Sequence, residues 1–188
     1  MLKKKSIFVI SGPSGSGKNT VYDGLRALMP EIAQTVSATT RAPREGEVDG
    51  VDYYFLSEKE FNDRVENGDF IEYVQYGKNY YGTLKSEIER LSSLGKIIVL
   101  IIEVNGALKF KELFPESVSL FIIPPSIEEL KKRIIKRGQN TEADLQKRLQ
   151  IAQYEMELKD RYDYCVVNNE IDDCINNVYN IIKGEQTK

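Results

Sequence analysis

A glycine-rich segment near the beginning of the chain has the spacing of a phosphate-binding loop. It runs from Gly12 to Gly17, ends on Lys18, and lies between a strand-like run and a helix-like run. Glycines let backbone amides approach phosphate oxygens, and a lysine adds a point charge between the last two phosphates of a triphosphate. The alternative is an ordinary glycine-rich turn, but the lysine and the flanking runs favour a nucleotide site. Its candidate contacts are Gly12, Pro13, Ser14, Gly15, Ser16, Gly17, Lys18, Asn19 and Thr20.

The residue after the lysine concerns the metal ion that accompanies a triphosphate. A serine or threonine usually stands there and gives its hydroxyl to Mg²⁺. This chain has Asn19, with Thr20 one place later. The ion could be held by Thr20, by the amide oxygen of Asn19, or largely through water. We name Thr20 as the candidate metal ligand.

Polar and aromatic signatures follow further along the chain, in the runs 37–44, 46–55, 70–73 and 79–83. With this order, and with Arg137-Gly138, Arg148 and Val167-Asn168 downstream, the sequence resembles the guanylate kinase family over essentially its whole length. The resemblance implies Mg²⁺-dependent transfer of the γ-phosphoryl group of ATP to GMP or dGMP. The products would be ADP and GDP, in purine nucleotide metabolism and GMP recycling.

The phosphate of the acceptor nucleotide needs cationic and hydroxyl donors. Arg41 and Arg44 can make charge-assisted hydrogen bonds to a dianion through their fork-shaped guanidinium groups. The resemblance adds the hydroxyls of Tyr53, Tyr81 and Ser37. We expect these five residues to hold the phosphate of GMP.

The guanine base presents an N1–H and an exocyclic amine side by side, and one carboxylate can accept both. Glu72 is the residue expected to read this edge, completed by Thr83 and by Ser37 if that side chain faces inward. In the family, one core strand ends with two acidic residues separated by an apolar one, and this chain has Ile101 and Glu103 there. Only Glu103 is assigned, either near magnesium or at the guanine edge.

Three arginines lie in or beside the segment 137–142, which separates two helix-like runs and resembles the mobile lid of the family. Arg133 and Arg137 are four residues apart and share a helix face. The alternative is a solvated basic face, which we prefer for the neighbouring lysines, whereas Arg133 and Arg137 are expected at ATP. Asn168 resembles the adenine contact of the family, and it is equally a turn-forming residue. The resemblance makes the catalytic set Lys18, Arg41, Arg137 and Arg148.

The elements that must position these residues follow from the hydrophobic pattern. Aliphatic runs predict buried parallel strands at 6–10, 97–104, 118–123 and 164–167. Helical periodicity predicts helices at 21–28, 107–113, 127–137, 143–159 and 171–182. The alternation predicts an α/β fold with three layers around a parallel sheet. The resemblance implies that this is a P-loop kinase core.

The remaining segments divide the single domain into three parts. The core comprises residues 1–36, 92–125 and 160–188. Residues 37–91 are predicted to form a small β-rich insertion, and the resemblance implies that this part binds GMP and that 126–159 form a helical lid. We expect insertion and core to move against each other through hinges.

Composition excludes several classes of function. The chain has no histidine, so Ser-His-Asp catalysis and His-ligated metal sites are absent by inventory. A formal net charge of −3 without a basic tract argues against a nucleic-acid partner. The longest aliphatic run, 97–102, is too short to cross a bilayer. We expect a cytoplasmic protein, a monomer or small homo-oligomer, with no membrane partner.

Two other functions stay open on the sequence. A non-catalytic guanylate kinase-like module would use the monophosphate pocket to bind a phosphorylated partner, and a related kinase would use another small phosphate acceptor. Other patterns are interpreted as structural: most of the tyrosines as packing, and Glu155, Glu157 and Asp160 as a solvated helix face.

Overall fold

The computed structural model describes residues 6–136 and 142–188, and they form an α/β fold with two sheets. In chain order the elements are β1 (Ile7–Ser11), α1 (Lys18–Leu28), β2 (Ile32–Gln34), β3 (Ala38–Thr39), β4 (Tyr54–Phe55), α2 (Glu58–Glu66), β5 (Phe70–Tyr76), β6 (Asn79–Leu84), α3 (Lys85–Ser93), β7 (Ile97–Ile101), α4 (Val104–Leu113), β8 (Val118–Ile123), α5 (Ile127–Lys136), α6 (Glu142–Glu157), β9 (Tyr164–Val167) and α7 (Ile171–Gln186).

The larger sheet has five parallel strands in the order β2–β7–β1–β8–β9. Its central strands are buried on both faces because helices cover each side. Phe8 and Ile10 pack with α1 and α7 on one face, whereas Ile7 and Val9 pack with α3 and α4 on the other. This alternation along β1 confirms the predicted three-layer core.

Most predicted core elements are confirmed, with shifts at their ends. The run predicted as a strand over 97–104 is shorter, because β7 ends at Ile101 and Glu103 becomes the N-cap of α4. The helix predicted from Ala107 therefore begins at Val104. The three-residue strand β2 was not predicted, since so short a run leaves no periodic signal.

The insertion contains a four-stranded sheet in the order β4–β3–β6–β5, so its predicted β character is confirmed. Its helices α2 and α3 were missed. The capping box at the start of α2, in which Ser57 and Glu60 exchange hydrogen bonds, was a readable sequence signal for that helix. The single buried residue of α2, Phe61, stacks on the rings of Phe70 and Tyr80.

A buried carboxylate ties together the two places where the chain passes between core and insertion. Glu87 of α3 accepts hydrogen bonds from the Val36 amide (2.9 Å) and the Tyr54 hydroxyl (3.0 Å). Arg90 donates to both of its oxygens at 2.9 Å. Val36 lies where the chain enters the insertion, and α3 lies where the chain leaves it. Glu87 therefore connects the two segments that join the insertion to the core.

No helix in residues 6–136 and 142–188 combines the length and apolar character needed to cross a membrane.

Candidate active site

The predicted phosphate loop lies between the carboxyl end of β1 and the start of α1. Gly12 and Gly17 have φ values of 140° and 98°, which disfavour residues with a side chain. A Cβ on Gly12 would lie 2.2 Å from the Ile122 carbonyl oxygen, and one on Gly17 would lie 2.4 Å from Nδ2 of Asn168. Both positions therefore require glycine for conformation and for space.

The cationic residue of the loop is folded over it. Lys18 is the first residue of α1, and its Nζ donates to the carbonyl oxygens of Gly12 (2.6 Å) and Pro13 (3.2 Å). Asn19 and Thr20 follow in the first turn and are exposed. The first turn of α1 contains no acidic residue, so its amides and positive dipole end are available to an anion.

Asn168, the residue after β9, holds the loop through its side chain. Its side chain is buried, and Nδ2 donates to the Ser16 carbonyl oxygen at 2.8 Å. Its own carbonyl oxygen accepts a hydrogen bond from Nη2 of Arg133 at 3.1 Å, and Glu129 pairs with Nε of the same guanidinium. Asn168 is thus more than a turn residue, because it links the loop to Arg133. Its expected contact with adenine stays a prediction.

The insertion brings three of the expected phosphate ligands together. The guanidinium carbon of Arg41 lies 5.3 Å from the centroid of the Tyr53 ring, and the Tyr53 and Tyr81 rings meet edge to face at 6.2 Å. Burial raises the pKa of Tyr53, and its protonated hydroxyl can donate a hydrogen bond. The Arg44 side chain is exposed nearby, and Ser37 is partly buried just before β3.

Glu47 was missed by the sequence analysis, although it organises this pocket. Its Oε1 accepts from Nη2 of Arg41 at 2.8 Å, and its Oε2 accepts from the backbone amide of Arg44 at 2.7 Å. The hydrogen bond from Arg41 holds the pKa of Glu47 below its usual value, so the carboxylate is ionised. One carboxylate thereby positions two arginines, and only its place right after Gly46 in the same motif hinted at this role.

The expected base-reading residue is buried. Glu72 of β5 is 5% exposed, and its Oε1 accepts a hydrogen bond from the Thr83 hydroxyl on β6 at 2.8 Å. The two residues are paired across the strands, which brings them to the same place. Burial raises the pKa of Glu72, while the Thr83 hydrogen bond and the charge of Lys109 oppose the shift.

Glu103 stands where core and insertion meet. As the N-cap of α4 it makes no capping hydrogen bond, and its Oε2 is buried without a partner in the described part of the chain. Its charge raises the pKa values of Tyr53 and Tyr76, after burial as the main cause. Ile101, at the first of the two positions that are acidic in the family, packs against the core. Of these two positions, only Glu103 carries a carboxylate in this chain.

The expectation that Glu155 belongs to a solvated face is wrong. It is 7% exposed on α6, whereas Glu157 and Asp160 are exposed as expected. Burial raises its pKa to about 7, the charge of Glu103 adds to the shift, and Lys18 opposes it. Glu155 lies on the same side of α6 as the buried Ala152. The burial of this carboxylate could not be predicted from the sequence, because a glutamate on a helix usually faces solvent.

The lid helices pack on each other and on the phosphate loop. Leu130 and Ile134 of α5 form an apolar cluster with Leu145 of α6, and a Cβ on Gly15 would lie 3.1 Å from Leu130. Arg148 is exposed on α6, and its charge partly offsets the raised pKa of Tyr76. Arg137, expected in the catalytic set, lies outside the described residues.

These features define the class of the protein. A glycine loop and lysine stand at the carboxyl end of a central parallel strand, and a separate pocket with arginine, tyrosine and a buried carboxylate lies on an insertion. The arrangement is that of a P-loop nucleotide kinase.

Comparison with known proteins gives the family. The family model for guanylate kinase matches residues 4–185. The chain is 44% identical to the guanylate kinase of Oceanobacillus iheyensis, over 100% of this chain and 92% of that protein. It is 45% identical to that of Clostridium perfringens, over 97% and 84%. The crystal structure of guanylate kinase from Anaplasma phagocytophilum superposes with a TM-score of 0.78 at 34% identity, over 99% and 88%. The chain belongs to the guanylate kinase family, and it is therefore an enzyme, a phosphotransferase.

Replacing Glu47 by Gln is expected to weaken acceptor binding, because a neutral amide no longer fixes the guanidinium of Arg41. The KM for the acceptor nucleotide should rise about tenfold, by the loss of roughly one charge-assisted hydrogen bond. The KM for the donor should stay constant. Steady-state kinetics measures both, and Glu45→Gln, an exposed neighbour, is the control. An unchanged acceptor KM would contradict the positioning role.

Glu155 makes stability depend on pH. Its folded pKa of about 7 lies above the unfolded value, so its stabilising contribution is complete below the unfolded pKa and is lost as pH rises through about 7. Relative to Glu155→Gln, the native protein should lose about 2 kcal/mol of unfolding free energy between about pH 5 and about pH 8. Urea unfolding of both proteins checks this, with Glu157→Gln as the exposed control. Parallel pH profiles for the two proteins would show that Glu155 titrates normally.

Proposed function

We propose that the enzyme transfers the γ-phosphoryl group of ATP to GMP, giving ADP and GDP. The observation that carries the proposal is the presence of two separate anion sites, the loop ending at Lys18 and the pocket around Arg41. Beside the second site lies Glu72, a buried carboxylate suited to the guanine edge. One site fits a triphosphate and the other fits a monophosphate bearing a base with paired donors.

On the donor side, the loop amides and Lys18 hold the triphosphate. The ammonium already lies over the loop at 2.6 Å from the Gly12 carbonyl oxygen, and on binding it would exchange this carbonyl for phosphate oxygens. Transfer between two polyanions demands charge neutralisation and alignment more than acid–base chemistry. This is why an enzyme without histidine can perform it.

Mg²⁺ enters with ATP in this proposal. Asn19 and Thr20 are exposed beside the loop, and Glu103 has a buried oxygen without a partner in the described residues. No group of three or more acidic or sulfur ligands is placed for a metal within residues 6–136 and 142–188. These donors fit an ion held mainly by phosphate oxygens and water, with Thr20 as the proposed protein ligand. When bound, Mg²⁺ neutralises charge on the phosphates.

On the acceptor side, Arg41 is preorganised. It gives one N–H to Glu47 and another to the Ala42 carbonyl oxygen, and a guanidinium has five. The remaining donors, with Arg44, the hydroxyls of Tyr53 and Tyr81, and Ser37, would hold the phosphate of GMP. None of these contacts involves the ribose 2′-hydroxyl, so dGMP should also be accepted.

The base is read by Glu72, with Thr83 orienting its carboxylate. An ionised carboxylate accepts both the N1–H and the exocyclic amine of guanine, whereas adenine offers no such pair. A buried polar group left unpaired by the wrong base penalises that base strongly.

Lid closure completes the site. Arg133 and Arg148, with Arg137, would approach the phosphates, and Asn168 would border the adenine. Closure would exclude water, so that ATP is not hydrolysed. The proposed parts are the core (1–36, 92–125, 160–188), the insertion (37–91) and the lid (126–159).

We place this activity in the cytoplasm, in purine nucleotide metabolism and GMP recycling. The proposed partners are ATP and GMP or dGMP, without nucleic acid or membrane, for a monomer or small homo-oligomer.

Lys18→Ala should lower kcat about a hundredfold or more, because the charge that bridges the transferred phosphoryl group is lost. Coupled ADP release with ATP, Mg²⁺ and GMP measures the rate, and Lys147→Ala, an exposed lysine of the lid, is the control. A near-normal rate for Lys18→Ala would contradict the proposed role of the loop in phosphoryl transfer. If the native protein binds GMP without turnover, it is a non-catalytic interaction module instead.

Glu72→Gln should reduce the preference for GMP over AMP by about tenfold while leaving the KM for ATP unchanged, because only base-reading hydrogen bonds change. The same assay with GMP, dGMP, AMP, UMP and a ribose phosphate measures the preference. An equal loss for every acceptor would contradict the assignment. Faster turnover of the native enzyme with a different acceptor would identify a kinase of other specificity.

A further inference from the structure

Gly106, the third residue of α4, is a helical glycine whose backbone conformation does not require glycine. It lies in α4 of the core, and its φ is outside the range that favours glycine. Glycine is a poor helix former compared with alanine, so its presence here weakens the helix. The reason must lie in what surrounds the position.

The space that a side chain would need is taken by the carboxylate of Glu72. A Cβ on Gly106 would lie 2.8 Å from Oε2 and 3.4 Å from Cδ of that residue. Glu72 belongs to the insertion, whereas Gly106 belongs to the core. The carboxylate of Glu72, which is proposed to read the base, therefore packs against the backbone of α4, a helix of the core.

A second contact shows that α4 docks along β5 at this place. Lys109, three residues after Gly106 and hence on the same helix face, donates from Nζ to the Tyr73 carbonyl oxygen at 3.2 Å. The same Nζ lies 5.8 Å from the centroid of the Tyr73 ring. The carboxylate of Glu72 is thus enclosed between the Thr83 hydroxyl on one side and the helix backbone on the other.

We infer that Gly106 is a specificity-determining residue for the acceptor base. This rests on the proposed function, in which Glu72 reads guanine. Without a side chain at Gly106, α4 can support the carboxylate where it accepts the N1–H and the exocyclic amine. A methyl group there displaces the carboxylate or pushes α4 away from β5. Base selectivity therefore depends on the core helix as well as on the insertion.

The test compares Gly106→Ala with Gly184→Ala. Both replace a helical glycine, but a Cβ on Gly184 in α7 meets nothing within 4 Å. Steady-state kinetics is measured with GMP and with IMP, which keeps the N1–H but lacks the exocyclic amine. For Gly106→Ala the KM for GMP rises about tenfold, the ratio of kcat/KM for GMP over IMP falls, and the KM for ATP is unchanged. Gly184→Ala behaves like the native enzyme.

Failure of the inference and failure of the proposed function give different results. If the native enzyme and Gly184→Ala phosphorylate GMP, and Gly106→Ala does so with the native KM and the native preference over IMP, the inference is overturned and the function stands. If the native protein does not phosphorylate GMP, the proposed function fails, and the specificity role of Gly106 fails with it.

Thermal unfolding tests the contact without activity. Gly106→Ala lowers Tm in the native background, where the methyl group meets the carboxylate. It raises Tm in a Glu72→Ala background, where the clash is absent and alanine favours the helix. A shift of the same sign in both backgrounds would overturn the contact and the inference with it.

Discussion

The close approach of backbones at the carboxyl end of β1 is the constraint on which the site depends. Gly12 lies against the Ile122 carbonyl oxygen of the neighbouring strand, and Gly17 lies against the buried amide of Asn168. This packing leaves no room for a side chain at either position, and the positive φ values of both residues also favour glycine. A glycine loop held in this way before a helix is suited to binding an anion through backbone amides.

The buried carboxylates are divided by what surrounds them. Burial alone would raise the pKa of Glu87, but Arg90, the Val36 amide and the Tyr54 hydroxyl bring it below its usual value. Glu72 and Glu155 have fewer donors, and burial raises their pKa values. A carboxylate whose acceptors are satisfied within the protein has a structural role, whereas one with few internal partners keeps acceptor capacity for a ligand. Glu87 therefore has a structural role, and Glu72 keeps the acceptor capacity that the proposed reading of a base requires.

The fold and much of the site could be predicted because their signals are local. Continuous aliphatic runs predicted the central strands, and the loop from Gly12 to Lys18 was readable from spacing and context. The helices α2 and α3 were missed because the tyrosines and turns of the insertion favoured strands. Glu47 and Glu155 were missed because a glutamate in a polar run or on a helix looks the same in sequence whether it faces solvent or the interior.

The sequence by itself determined the three-layer α/β core, the phosphate loop and the family, because each depends on residue types in a fixed order along the chain. Only the tertiary structure decided which carboxylates are buried and what they contact. The link between Arg41 and Arg44 through Glu47 depends on the folding of a loop. The close approach of the Glu72 carboxylate to Gly106 depends on how α4 of the core packs against β5 of the insertion. No local sequence pattern determines the distance between these two elements.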